Sequence, residues 1–164
     1  MLFLDASTLI LTAKAELLDF LIEASKEPLA ISTEVEKEAT RKNTFDALLI
    51  KQRINEKKIN VKKTKDQAMV KRTMSDFNMH RGEAETIVLC IENKGKFVAT
   101  DDYNAMKACS VLNIEYITSL GILQQLYKNK KLGKEQALLK FEALARYGRF
   151  SDEILNDFRK RLEG

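Results

Sequence analysis

Six carboxylates in this sequence stand where a carboxylate can do chemistry. Asp5 follows the apolar run Leu2-Phe3-Leu4 and precedes Ser7, Thr8 and an apolar helical pattern that resumes at Leu9. Asp101 and Asp102 follow a second such run, Phe97-Val98-Ala99, and Thr100. Glu38 lies in the helical pattern after Leu29-Ala30-Ile31, and Glu83 and Glu85 open another after Gly82. An acid at the carboxyl end of a buried strand occupies the place where open α/β sheets bind their ligands. Each acid also has an ordinary use. Asp5, Asp101 and Asp102 can cap the helices that follow them, Glu83 and Glu85 suit the positive end of a helix, and Glu38 can be an exposed helix carboxylate. As a set they imply more. Carboxylates brought close together repel, so a cluster calls for a cation. A donor set made of oxygens suits Mg²⁺ or Mn²⁺.

The elements that must position these acids emerge from hydrophobic periodicity. Short strands are expected at 2–4, 29–31, 59–61, 97–99 and 114–117. Helices are expected at 9–14, 15–25, from 33, from 44, at 65–76, 83–93 and 103–112. A helical C-terminal extension comes next, with segments at 120–127, 134–147 and 151–162. Ser32 or Thr33 caps the helix that follows, and Thr33 with Glu36 fits a capping box; Ser151 reads as an N-cap, and Gly133 and Gly148 separate the last helices. Strands alternating with helices argue for a parallel sheet covered on both faces. Asp5 and Asp101/Asp102 then fall at two strand ends, with Glu38 and Glu83 on helices that can reach the same crevice.

The chain has 164 residues, 45% hydrophobic and 32% charged, enough for one domain with its own core. A single proline and the lack of a Gly/Ser-rich stretch mark no internal boundary. No apolar run approaches the roughly 18 residues of a membrane span, and the N-terminus lacks signal-peptide order. No membrane association and a cytoplasmic location are the expectation. Cys90 and Cys109 lie in apolar helical patterns and read as buried free thiols. The net charge of +4 is unevenly spread: residues 41–72 hold 11 Lys/Arg against 3 Asp/Glu. That layout suits a phosphate-binding surface beside an acidic site. Arg41, Lys42, Lys57, Lys58, Lys62 and Lys63 are the candidates, with Arg81 next to the acids. His80, the only histidine, reads as a surface or capping residue.

Four pieces in order, Phe3-Leu-Asp-Ala-Ser7, Ile31-Ser-Thr-Glu-Val-Glu-Lys-Glu38, Arg81-Gly-Glu-Ala-Glu-Thr-Ile87 and Val98-Ala-Thr-Asp-Asp102, resemble the PIN-domain nucleases. This is the family of VapC-type toxins and related endoribonucleases, and the Gly-Glu-Ala-Glu and Thr-Asp-Asp forms look like a prokaryotic, often archaeal, branch. The resemblance implies an α/β fold: a single PIN-like domain over 1–164. It would have a central parallel sheet of about five strands with helices on both faces. Residues 1–117 would form the alternating core and 118–164 the helical extension. It implies Asp5, Glu38, Glu83 and Asp102 as the catalytic, metal-holding acids, with Asp101 as a further ligand. Glu34 is the lesser choice for the second acid. Ser7, Glu85 and Thr100 would be supporting residues.

The resemblance also implies Mg²⁺- or Mn²⁺-dependent hydrolysis of RNA phosphodiesters, leaving a 5′-phosphate and a 3′-hydroxyl. An antitoxin partner and a homodimer are further implications. Three rivals differ in kind. A non-catalytic RNA- or partner-binding subunit would bind RNA without cutting it. A haloacid-dehalogenase-like phosphatase needs a second Asp two residues after the first, where this chain has Ser7. A receiver domain needs a phosphoacceptor Asp on the third strand, where Ile59–Val61 runs into Lys62-Lys63.

Overall fold

Strands of three or four residues do not stand alone; these persist because successive side chains alternate between two apolar layers. Leu4, Leu29, Ile31 and Ala99 join one core cluster, and Phe3, Ala30 and Val98 join the other. The computed structural model describes all residues, 1–164. The chain runs β1 (Leu2–Leu4), α1 (Ala6–Lys14), α2 (Leu18–Ala24), β2 (Leu29–Ser32), α3 (Thr33–Thr40), α4 (Phe45–Asn55) and β3 (Ile59–Lys62). It continues through α5 (Gln67–Phe77), α6 (Arg81–Glu92), β4 (Phe97–Ala99), α7 (Tyr103–Val111) and β5 (Glu115–Ile117). Three helices close it: α8 (Ser119–Lys128), α9 (Lys134–Tyr147) and α10 (Asp152–Glu163).

The five strands form one sheet of order β3-β2-β1-β4-β5, and every pairing is parallel. The α/β architecture with a parallel sheet of five strands is the one expected. Strand order reverses at β1. The chain winds outward through β2 and β3, then crosses back to lay β4 on the other side of β1. The carboxyl ends of β1 and β4 are therefore the switch point, where a crevice opens in folds of this kind. Asp5 is tied there at once, its backbone N–H donating to Ala99 O at 3.2 Å.

The larger cluster packs α1, α2, α8 and α9 against one side of the sheet, and the smaller packs α6 and α7 against the other. The C-terminal helices are part of the main core rather than an appendage. Leu123, Phe141 and Leu144 are fully buried in the larger cluster, and Phe141 stacks on Phe158 with centroids 5.5 Å apart. Both cysteines are buried and free.

The starts of α1, α2, α5 and α6 differ from the sequence reading by two or three residues, α2 beginning at Leu18 rather than Ala15 and α5 at Gln67 rather than Lys65. Helix α1 begins at Ala6 rather than Leu9, because Asp5 is its N-cap. Helix α6 begins at Arg81, two residues early, with His80 as N-cap. The Thr33/Glu36 capping box is not formed. Ser32 caps α3, accepting from Val35 N at 3.0 Å, so Thr33 is already helical.

Candidate active site at the carboxyl ends of the strands

Asp5 is 2% exposed, on the last position before α1. Its Oδ1 accepts from Thr8 N at 2.9 Å, and its Oδ2 accepts from Thr100 Oγ1 at 2.5 Å. Burial pushes the Asp5 carboxyl up to about 6, and the charge of Asp101 adds to this; the hydrogen bonds from Thr100 and Thr8 work the other way. Asp101 lies beside it. Thr8 bridges the two, its hydroxyl donating to Asp101 Oδ2 at 3.1 Å and accepting from Asp101 N at 3.0 Å. Asp101 Oδ1 accepts from both the N–H and the hydroxyl of Ser119, each at 3.0 Å. Burial raises the Asp101 carboxyl as well, against these bonds.

Asp102 is the N-cap of α7, accepting from Ala105 N at 2.8 Å through Oδ2. Thr100 links it back to Asp5, because the same hydroxyl that donates to Asp5 accepts from Asp102 N at 3.1 Å. The cap occupies one oxygen of Asp102 and leaves Oδ1 without a protein donor, whereas both oxygens of Asp5 accept hydrogen bonds, one from the cap and one from Thr100. The ordinary reading as caps therefore holds together with the chemical one, since a carboxylate oxygen has a second lone pair.

Glu38 and Glu83 form a second acidic pair. Helix α3 brings Glu38 against the start of α6 so closely that a Cβ at Gly82 would lie 3.0 Å from Glu38 Oε1. Glycine is what permits that approach. Glu83 spends Oε2 on the backbone N–H of His80 at 2.8 Å. Partial burial, followed by the charges of Glu34 and Glu83, raises the Glu38 carboxyl, while Arg41 and His80 lower it. Glu85 turns elsewhere. It is buried, and its Oε1 accepts from Arg81 Nε at 3.1 Å.

The acids are thus brought to one end of the sheet as two pairs, Asp5/Asp101 with Asp102 adjoining, and Glu38/Glu83. No three His, Cys, Asp or Glu side chains are grouped closely enough to hold one ion as they stand. The donor chemistry nevertheless fits a hard divalent cation: all are carboxylates, and Glu38 and Asp102 keep unengaged oxygens. None of Asp5, Glu38, Glu83, Asp101 or Asp102 is in a salt bridge, in a chain with 28 Lys and Arg.

Of the supporting residues read from sequence, Thr100 holds Asp5 as expected, while Ser7 does not and Thr8 takes its place. Ser7 is exposed and makes no hydrogen bond to Asp5; Thr8 and Thr100 do that work. Thr8 carries a readable signal, since the third residue after an N-cap Asp is the one whose N–H the cap accepts. Ser119 carries only its place just past β5. Of the basic candidates, Lys42 lines a cleft of about 640 Å³ with Asp101, Asp102, Ser7, Lys14 and Arg149. Lys63 and Arg81 line a second, polar cleft with Glu34 and Glu85. Lys62 sits at the carboxyl end of β3 and Arg41 is the C-cap of α3. Lys57 and Lys58 precede β3 and so lie at the opposite end of the sheet, away from the acids, with Lys58 paired to Glu56 at 3.2 Å. Lys14 and Arg149 are far apart in sequence, and only the packing of α9 beside α1 brings them to the same cleft.

No helix is long and apolar enough to cross a membrane. A search of curated proteins finds no match to the chain. The model of a family described as a PIN domain matches residues 1–163.

Proposed function

The chain belongs to the PIN-domain family, and from that membership and the geometry of its acids we propose that it is a metal-dependent endoribonuclease. The fold is of nuclease type. The observation that carries the proposal is the set of carboxylates at one end of the sheet, Asp5, Asp101 and Asp102 at the β1/β4 switch point and the pair Glu38/Glu83 on α3 and α6, none of them in an ion pair. Burying or crowding carboxylates in this way is unfavourable without a cation to offset their charge.

Asp5, Glu38, Glu83 and Asp102, with Asp101, would hold Mg²⁺ or Mn²⁺. When bound, such an ion acidifies a water molecule and offsets charge on the attacked phosphate. The protein's own residues do the rest. Thr8 and Thr100 fix the direction of the Asp5 carboxylate, and Ser119 fixes that of Asp101. Helices α1 and α7, each capped by one of the acids, keep those side chains from swinging away. Lys14, Lys42 and Arg149 in the cleft beside Asp101 and Asp102 supply positive charge for the RNA backbone. No side chain is needed as a nucleophile, and the exposed N-cap His80 has no part as a base. The products would carry a 5′-phosphate and a 3′-hydroxyl.

The test is RNA cleavage in Mg²⁺ or Mn²⁺, comparing wild type with Asp5→Asn and Asp102→Asn. Metal-dependent cutting that EDTA and either substitution abolish is the expected result. Cutting at full rate by both variants refutes the site. The division of the acids into two pairs favours one alternative, an RNA- or partner-binding subunit that holds RNA in Mg²⁺ without cutting it. Phosphomonoester turnover with the same variants separates out the phosphatase reading. A toxin role with a cognate antitoxin, and a homodimer, belong to the same proposal. They are tested by co-purification with the product of an adjacent gene and by sedimentation. The apolar faces of 9–22 offer little to such a partner, because Leu9, Leu17, Leu18 and Leu21 are buried in the core.

A further inference from the structure

The polar cleft beside α3 and α6 has a lining with a double requirement. It measures about 730 Å³ and no hydrophobic residue lines it. Lys37, Lys63, Lys65 and Arg81 supply four cations against the two carboxylates of Glu34 and Glu85. The positive excess calls for an anion. The second requirement is at Glu85, which is 4% exposed. Its Oε1 is held by Arg81, but its Oε2 is buried and accepts no hydrogen bond; it is the one such side-chain atom in the protein. A buried carboxylate oxygen left without a donor is unfavourable by about 1–3 kcal/mol. Arg81 itself is exposed and held by two contacts, one to Glu85 and one to Gln67 Oε1.

We propose that this cleft is a nucleotide subsite for the RNA strand. Phosphate oxygens are taken by Arg81, Lys63 and Lys65. An N–H or O–H of the same nucleotide is taken by the spare oxygen of Glu85. A nucleotide meets both requirements at once with donors on its base and sugar, set apart from the phosphate that the cations take, whereas inorganic phosphate has only its own hydroxyl, on the very group the cations hold. Arg81 is the moving part: a phosphate draws its exposed guanidinium outward, and that opens Glu85 Oε2 to the ligand. The cleft also lies in the right place. Glu34 lines it one helical turn from Glu38 on α3, and Arg81 precedes Glu83 by two residues on α6. A strand crossing the acids runs directly into it. The inference rests on the nuclease reading only in naming RNA as the source of the nucleotide.

The experiment is an NMR titration of isotope-labelled protein in EDTA with AMP, GMP, CMP, UMP and, separately, inorganic phosphate. Shifts are expected at the Arg81 side chain and at the amides of Thr33, Lys63 and Thr64. At least one nucleotide should bind about tenfold more tightly than phosphate, the equivalent of one good hydrogen bond. Glu85→Gln should erase that preference, and Lys63→Ala with Lys65→Ala should weaken every probe. Equal affinity for phosphate and all four nucleotides, or shifts away from the cleft, overturns the proposal. A preference that survives Glu85→Gln also overturns it. If Glu85→Gln fails to fold, the exposed lysine pair still decides: unchanged affinities refute the subsite. Because no metal is present, the outcome is independent of cleavage. A chain that cuts RNA but shows no shifts here loses this inference alone; one that binds nucleotides here but cuts nothing loses the nuclease reading alone.

Discussion

Replacing Asp5 by Asn should make the metal-free protein more stable at neutral pH while destroying its proposed activity. Burial lifts the Asp5 carboxyl from 3.8 to about 6. The native state therefore holds a proton that the unfolded chain has already released, and stability falls as pH rises from about 4 to about 6. At about 1.36 kcal/mol per pH unit the penalty at pH 7.5 is roughly 3 kcal/mol. Asparagine carries no charge to bury. Its oxygen can still accept from Thr8 N, so the cap survives, but the bond from Thr100 is lost at about 1 kcal/mol. The net expectation is a gain of roughly 2 kcal/mol at pH 7.5 in EDTA, and a loss of about 1 kcal/mol at pH 4, where wild-type Asp5 is protonated. Urea unfolding at the two pH values measures both. Saturating Mg²⁺ should then reverse the order by stabilising only the wild type, by about 2.7 kcal/mol at one hundred times the dissociation constant. An Asn variant less stable than wild type at pH 7.5 in EDTA would refute the reasoning. Asp5 would then be a structural anchor and not an uncompensated charge.

The same geometry sets four further outcomes. Glu38→Gln, at an exposed carboxylate with no hydrogen bond, should leave the unfolding free energy within about 0.5 kcal/mol of wild type while abolishing metal-dependent cleavage. Thr8→Val removes a hydroxyl that serves Asp101 twice; a loss of about 1–3 kcal/mol is expected, with weaker Mn²⁺ binding by calorimetry. Phe141→Ala should cost about 3–5 kcal/mol and expose α9 and α10 to proteolysis together, since Phe141 is fully buried and stacked on Phe158. Lys57→Ala with Lys58→Ala should leave RNA affinity unchanged at any salt concentration, whereas Lys42→Ala with Arg149→Ala should lower it and flatten its salt dependence.

Sequence reveals most where the chain encodes its structure locally. The three-residue strands β1 and β4 were legible because apolar runs end abruptly at Asp5 and at Thr100-Asp101-Asp102. The boundaries of α9 at Lys134 and Tyr147 were legible because Gly133 and Gly148 flank a clean helical period. Asp5, Asp101 and Asp102 were legible as strand-end residues, and Glu38 and Glu83 as helix residues able to reach the same end of the sheet. Of the hydrogen-bonding partners that aim them, Thr100 was legible beside Asp101, but those set by tertiary approach were not. Ser119 meets Asp101 only because β5 lies beside β4, and nothing within a few residues of Ser119 announces it. The same holds for Lys14 and Arg149. Ser7 failed as the support of Asp5 because α1 starts at Ala6. A helix that starts there turns Ser7 outward and brings Thr8 back over the cap. Lys57 and Lys58 were grouped with Lys62 and Lys63 by charge alone, although β3, which ends at Lys62, carries the second pair to the other end of the sheet.

The central position of β1 has a consequence for synthesis. Its neighbours in the sheet are β2 and β4, so the hydrogen bond from Thr100 to Asp5 joins residues 95 apart in sequence. Contacts of such long span form late and slowly, and a nascent chain adds its residues from the N-terminus onward. Asp5 leaves the ribosome 95 residues before Thr100 and waits for β4 before it has that hydroxyl to orient it or a second acid beside it. The larger core cluster also needs Phe141 and Leu162, near the end of the chain. If the proposed activity holds, a protein that cuts RNA is assembled on a ribosome made of RNA, and this topology withholds the candidate site until β4 has been made and the core beneath it until α10 has been made.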